Sequence, residues 1–129
     1  MILVDTSVWV DHFRRSDRLL IGALDQGVAG VHPFVIGELA LGHLRQRAAI
    51  LGLLNALPQS EPATHDEVLL FAHEQKLAGT GVGWIDAHLL AAARLSGWSL
   101  WTSDRRLKTV AERLGIVYDA RKSRIDPEA

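Results

Sequence analysis

The chain opens Met1-Ile2-Leu3-Val4-Asp5-Thr6-Ser7. An apolar run with no polar alternation suits a strand buried on both faces, as in a parallel sheet flanked by helices. The run stops at a carboxylate, and two hydroxyl residues follow. Open α/β sheets bind ligands outside the carboxyl ends of their strands, which would put Asp5 at a site. A local reading competes with this one: Asp, Ser and Thr are ordinary N-caps, so Asp5 or Thr6 can equally serve to start the next helix. The fragment alone leaves both open.

Downstream, the apolar spacing alternates between helices and short strands. A helix is expected over Ser7–Arg15 and a second through Leu19, Leu20, Ala23 and Leu24, closed at Gly27. Val28–His32 reads as a strand, and Pro33 suits the first position of a helix running to Gly42-His43. Arg45–Leu57 is a further helix, ended by Pro58, and Gln59–Ala63 offers a short edge strand. Thr64, with Glu67 three residues on, is a capping box for a long helix expected to reach Gly79. The glycine-rich loop Gly79–Gly83 leads into an apolar helix, Trp84–Leu95, followed by Gly97. Trp98–Thr102 reads as a strand, Ser103-Asp104 open a helix closed by Gly115, and Ile116–Tyr118 is a last strand. The charged tail, Asp119–Ala129, is expected to fray. Strands separated by helices predict an α/β fold with a parallel sheet and right-handed crossovers.

Composition sets limits. The 129 residues suit one domain, 1–129, and a hydrophobic fraction of 48% suits a packed core. The net charge of −1 does not mark a nucleic-acid binder, so any polyanion would be held by local basic patches or bound cations. The absence of cysteine excludes disulfides, thiolate nucleophiles and cysteine-based zinc sites. No apolar stretch has the length of a membrane helix and the first run is too short for a signal peptide, so the expected compartment is the cytoplasm, with no membrane partner.

Four carboxylates stand out by position. Asp5 ends the first strand, Glu38 lies in the helix after the second, Asp86 lies in the first turn of an apolar helix, and Asp104 begins the helix after Trp98–Thr102. Strands of a parallel sheet end at one edge, so Asp5 and Asp104 share it, and Glu38 and Asp86 sit in helices able to reach it. Each acid has an ordinary use, Asp86 and Asp104 as first-turn acids favoured by the helix dipole and Glu38 as a solvated residue. Yet Glu38 and Asp86 are embedded in apolar helices, where a carboxylate usually faces a cleft or a partner. Clustered carboxylates repel and need protons or cations. An all-oxygen set without His or Cys selects hard cations, Mg²⁺ or Mn²⁺, whose chemistry suits phosphodiester cleavage. Thr6, Thr102 and Ser103 border the acids with hydroxyls.

These stretches resemble the PIN-domain ribonucleases, specifically the VapC-type toxins of VapBC toxin–antitoxin pairs. The resemblance rests on Val4-Asp5-Thr6-Ser7-Val8-Trp9, Pro33-Phe34-Val35-Ile36-Gly37-Glu38-Leu39, Gly83–Ala93 and Leu100-Trp101-Thr102-Ser103-Asp104-Arg105-Arg106-Leu107. It implies a parallel sheet of about five strands between helices, a homodimer, and Mg²⁺- or Mn²⁺-dependent endoribonuclease activity restrained by a cognate VapB-like antitoxin. It also implies Asp5, Glu38, Asp86 and Asp104 as the catalytic and metal-binding acids, with Thr102 as supporting hydroxyl. Many members carry a further acid where this chain has Arg106, which makes a second metal site weak here. Thr6, Arg105 and Arg106 are candidates to contact RNA phosphate, and for the arginines a solvated helix face is the ordinary alternative.

The expected function is therefore cleavage of RNA phosphodiesters by metal-activated water. Two other classes compete. A catalytically weak PIN-fold module would only bind RNA. A haloacid dehalogenase-like phosphatase also starts from a strand ending in Asp but needs a second Asp at the position of Ser7. The six histidines include no His-x-x-x-His pair, and core or surface roles are ordinary for them; His12 is the one to follow, because its helix starts at Asp5. Trp9, Trp84, Trp98 and Trp101 offer base-stacking surfaces, with core or dimer contacts as their ordinary use.

Overall fold

A computed structural model describes residues 1–121. The tail expected to fray therefore lies mostly outside the described residues. At the centre is a parallel sheet in the order β2-β1-β3, with β1 Ile2–Val4, β2 Ala29–Gly30 and β3 Ser99–Trp101. Each edge carries one further parallel bridge, Val31 with Gln59 and Leu100 with Val117. The expected sheet of about five strands is thus three strands with a single-residue lane on either side. Pro58 and Pro62 flank the first lane and lack the N–H a ladder needs.

Seven helices complete the described chain: α1 Thr6–Arg14, α2 Arg18–Asp25, α3 Pro33–Leu41, α4 Arg47–Ala56, α5 His65–Glu74, α6 Trp84–Ser96 and α7 Arg105–Arg113. Their starts follow the sequence signals. Asp17 accepts the N–H groups of Leu19 and Leu20, and the Thr64–Glu67 capping box is closed in both directions. α5 ends earlier than expected, because Lys76 takes a left-handed conformation (φ 54°) and Leu77 turns into the core. α6 is the most deeply packed helix, with Ala87 through Ala93 all buried. Leu3, Trp9, Leu20, Leu54, Leu89, Leu90, Leu100 and Leu107 are fully buried. Each such side chain contributes about 1.5–3 kcal/mol of transfer free energy. Among the described residues no helix is long and apolar enough to cross a membrane.

The strand order matters for function. From β1 the chain crosses to β2 on one side, and it later returns to β3 on the other. The loops after β1 and β3 therefore leave the sheet in diverging directions, and the crevice between them is where α/β sheets bind ligands.

Two packing details were not legible in the sequence. Gly30 in β2 lies under the Trp98 ring; a Cβ there would stand 2.4 Å from Cζ3 and 3.0 Å from the carbonyl oxygen of Pro58. His32, 1% exposed, occupies the N-cap of α3, where its Nδ1 accepts the Phe34 N–H at 2.9 Å. That bond requires Nδ1 to be unprotonated, and Nε2 is buried without a partner among the described residues. Burial, reinforced by neighbouring His88, pushes the His32 pKa down to about 4.

Two outcomes follow for stability. Gly30→Ala should destabilise the fold by about 1–3 kcal/mol through overpacking. The loss should shrink in a Trp98→Ala background, as read in a double-mutant cycle of urea unfolding; equal losses in both backgrounds would contradict the contact. Acidification should unfold the protein through His32, because the unfolded chain binds its proton near pH 6.5 whereas the fold resists until about 4. This contribution to stability is complete above pH 6.5 and is lost as pH falls towards 4. His32→Asn keeps a capping oxygen without the titration, so its melting temperature should fall less steeply across that window.

Candidate active site

β1 and β3 pair in the register Ile2–Ser99, Leu3–Leu100 and Val4–Trp101. The next residues on each strand, Asp5 and Thr102, are therefore neighbours across the sheet edge, and the Asp5 N–H continues the ladder to Trp101 O at 2.9 Å. Asp5 occupies the N-cap position of α1, but its side chain makes no capping bond. It is committed instead to hydroxyls: Oδ2 accepts from Ser7 Oγ at 2.7 Å and from Thr102 Oγ1 at 2.8 Å. Asp5 therefore stands at the start of the helix, as the local reading has it, but its side chain does not cap it.

The hydroxyls are held in turn. Ser103 N–H donates to Ser7 Oγ and Asp104 N–H to Thr102 Oγ1, both at 3.0 Å. Both hydroxyl protons go to Asp5, so the 3.3 Å approach of the two oxygens is a packing contact. Backbone donors of the β3–α7 turn thus polarise two hydroxyls that fix a nearly buried carboxylate. Asp5 Oδ1 has no hydrogen bond from a described residue, so its second oxygen is uncommitted.

The other acids are positioned by their helices. Asp104 caps α7, Oδ1 accepting the Leu107 N–H at 3.0 Å. Asp86 reaches back to the Gly83 N–H at 3.1 Å. Glu38 Oε1 accepts from Thr6 Oγ1 at 2.8 Å, which ties α3 to the start of α1. The pKa of Asp86 is raised, first by burial and then by the charges of Asp5, Asp104 and Glu38; the Gly83 N–H pulls the other way. Asp5, Asp104 and Glu38 are therefore each within electrostatic reach of Asp86, with Thr6 bonded to Glu38 and Thr102 to Asp5.

The cluster is open. Among the described residues no three His, Cys, Asp or Glu side chains stand close enough to hold one ion directly. By donor chemistry, an all-oxygen set of like charges suits a hard cation that keeps part of its water shell, as Mg²⁺ does. Asp5, Glu38, Asp86 and Asp104 are the residues that would hold it.

Several expectations resolve differently. Ser7 was not legible as a site residue; its only signal was its place two residues after Asp5, and its neighbours other than Asp5 lie 95 and more residues away. Asp104, not Ser103, caps α7. His12 accepts the Asp17 N–H at 3.0 Å and so joins α1 to α2 rather than serving the site. Trp9 and Trp101 are core residues, Trp98 covers Gly30, and only Trp84 is exposed. Arg105 and Arg106 are exposed at the start of α7, and Arg106 lies across Gly81.

Comparison with known proteins agrees with the fold. The family described as PIN domain matches residues 2–113. Ribonuclease VapC32 of Mycobacterium tuberculosis, found under that name in two strains, is 48% identical over 117 residues, covering 90% of this chain and 94% of the relative. The crystal structure of PAE2754 from Pyrobaculum aerophilum matches with a TM-score of 0.61 and 25% identity, covering 93% of this chain and 90% of that one.

The raised Asp86 pKa has a stability consequence. At pH 7 the fold holds this carboxylate ionised against burial and three like charges, so the ionised form is destabilising relative to the unfolded chain. Asp86→Asn, which keeps an acceptor for Gly83, should melt a few degrees higher than wild type in chelator-treated buffer, at roughly 2–5 °C per kcal/mol. Added Mn²⁺ should raise the wild-type midpoint and move the variant less; a lower melting point for the variant without metal would contradict the repulsion.

Proposed function

The chain belongs to the PIN-domain family, of the VapC type, and from that premise we propose that it is a divalent-cation-dependent endoribonuclease, the toxin of a toxin–antitoxin pair. The observation that carries the reading is the mutual electrostatic strain of Asp86 with Asp5, Asp104 and Glu38 around a hydroxyl-clamped Asp5. A bound Mg²⁺ or Mn²⁺ supplies neutralisation of the substrate phosphate and acidity to a water.

The chain's own residues do the rest. Ser7 and Thr102 hold Asp5 Oδ2, so that this carboxylate keeps one orientation through turnover. Asp104 is tied to the α7 backbone, and Thr6 keeps Glu38 from swinging into solvent. Asp86, turned back onto the Gly83 N–H at the start of α6, is the acid we assign to take the water's proton. In-line attack of water oxygen on phosphorus then breaks one P–O bond; the water's proton passes to Asp86, and the departing ribose oxygen takes up a proton from solvent. A haloacid dehalogenase-type phosphatase is disfavoured, since a hydroxyl that donates to Asp5 stands where that chemistry needs a second carboxylate.

The antitoxin reading rests on the named relatives and on a cleft of about 570 Å³ between α1, α3 and the connection to α4. Thr6 and Glu38 stand at the acid cluster, and Val10, Leu39 and Ile50 supply apolar lining. A VapB-like partner would lay an apolar segment there and place an Arg or Lys against the acids. The proposal extends to a cytoplasmic homodimer, for which exposed Leu41, Leu69 and Leu70 provide apolar surface.

Purified protein should cut single-stranded RNA when Mg²⁺ or Mn²⁺ is supplied and stop when it is chelated. Asp5→Asn keeps an acceptor for both hydroxyls and loses the charge, so it should fold normally and cleave at least 100-fold more slowly, roughly 3 kcal/mol of barrier. Cleavage by this variant at the wild-type rate would refute the assignment.

A further inference from the structure

A second pocket, of about 350 Å³, lies between α7 and the glycine loop before α6 and plays no part in the acid cluster. It is lined by Thr80, Arg105, Arg106, Thr109, Val110 and Arg113, with no carboxylate among them. Arg106, Val110 and Arg113 recur at helical spacing along one face of α7. The opposite wall is built to admit an arginine. Gly81 has φ +87°, and a Cβ on it would stand 2.7 Å from Cδ and 3.2 Å from Nε of Arg106. Only glycine meets both demands, the left-handed backbone and the close approach.

The donors in the pocket can be counted. The Thr80 hydroxyl donates to Leu77 O and the Thr109 hydroxyl to Arg105 O, so neither has a proton to offer. Arg113 gives one N–H group to Gln75 O, which anchors it. Among the described residues Arg105 and Arg106 have no acidic partner. Three arginines thus border one space, their stems forming much of its lining, and all carry the same charge. They present planar, bidentate donors of the kind that match a phosphate. Both walls are continuous with the acid cluster: α7 begins at its cap Asp104, and the glycine loop runs to Gly83, whose N–H holds Asp86.

We propose that this pocket is a phosphate subsite for RNA, holding a backbone phosphodiester that flanks the scissile one. The proposal rests on the ribonuclease reading above. Arg105 and Arg106 make the contact, Arg113 is the anchored third charge, and Gly81 lets Arg106 lie against the loop.

The test measures binding of a labelled single-stranded RNA oligonucleotide to the full chain carrying Asp5→Asn, across a salt series, with and without Arg105→Gln plus Arg106→Gln. The double change should weaken binding about 5- to 10-fold and make the slope of log Kd against log salt shallower by about 0.7, the value for one phosphate on a single strand. In the Arg105→Gln plus Arg106→Gln protein with Asp5 intact, the Mn²⁺-induced rise in melting temperature should persist, showing that the acid cluster is undisturbed. An unchanged affinity and slope, in a protein whose wild-type form cuts RNA, would overturn the subsite while leaving the ribonuclease reading in place. Shallower slopes in a protein that cuts no RNA would keep the subsite and remove the activity. Displacement of the RNA by submillimolar inorganic phosphate would mark a small-anion site and also overturn the proposal.

Discussion

Two hydroxyl groups, those of Ser7 and Thr102, hold one oxygen of Asp5, and the rest of the site is arranged around that clamp. The clamp exists because β1 and β3 are parallel and in a register that sets Asp5 beside Thr102. It is stiffened by backbone N–H groups of residues 103 and 104, which the turn after β3 aims at the same hydroxyls. A one-residue slip between the strands would put the Thr102 side chain on the other face and cost a nearly buried carboxylate one of its two hydroxyl donors. The sheet's short strands are sufficient because the register need only be right at its carboxyl edge.

Fixing Asp5 in this way concentrates negative charge. Asp104 arrives on the same turn, Asp86 from the first turn of α6 and Glu38 from α3, and the strain appears where burial is combined with three like charges, on Asp86. The fold thus keeps an arrangement that is unfavourable by itself, which is characteristic of sites that meet a cation. The open spacing of the acids suits an ion that retains water. On the neighbouring surface the sign reverses, with arginines gathered on α7. An acid cluster beside a basic pocket is an electrostatic pattern suited to a polyanion bound through both a cation and guanidinium groups.

Much of this was legible in the sequence, for identifiable reasons. The uninterrupted Ile2–Val4 run, Pro33 at a helix start, the Thr64–Glu67 box and Asp104 before an apolar-periodic segment are local signals, and each produced the element it predicts. The acids were legible because carboxylates inside apolar helices are unusual. What escaped depends on contacts distant in sequence. Ser7 is held against Asp5 by the N–H of Ser103, distant in sequence, Gly30 matters only because of the ring of Trp98, and Gly81 only because of Arg106. His32 looked like a strand end and proved to be a buried cap whose proton is excluded. The two outer strands shrank to single bridges, because proline beside Gln59 and the turn after Tyr118 interrupt ladders that side-chain pattern alone would have allowed.

The central claim is that folding assembles these four acids into one cation site. Anomalous diffraction from crystals grown with Mn²⁺ addresses it directly. The account predicts a strong peak at the carboxyl edge of β1 and β3, in the space bounded by Asp5, Glu38, Asp86 and Asp104. A peak elsewhere, or none at saturating Mn²⁺, would contradict it.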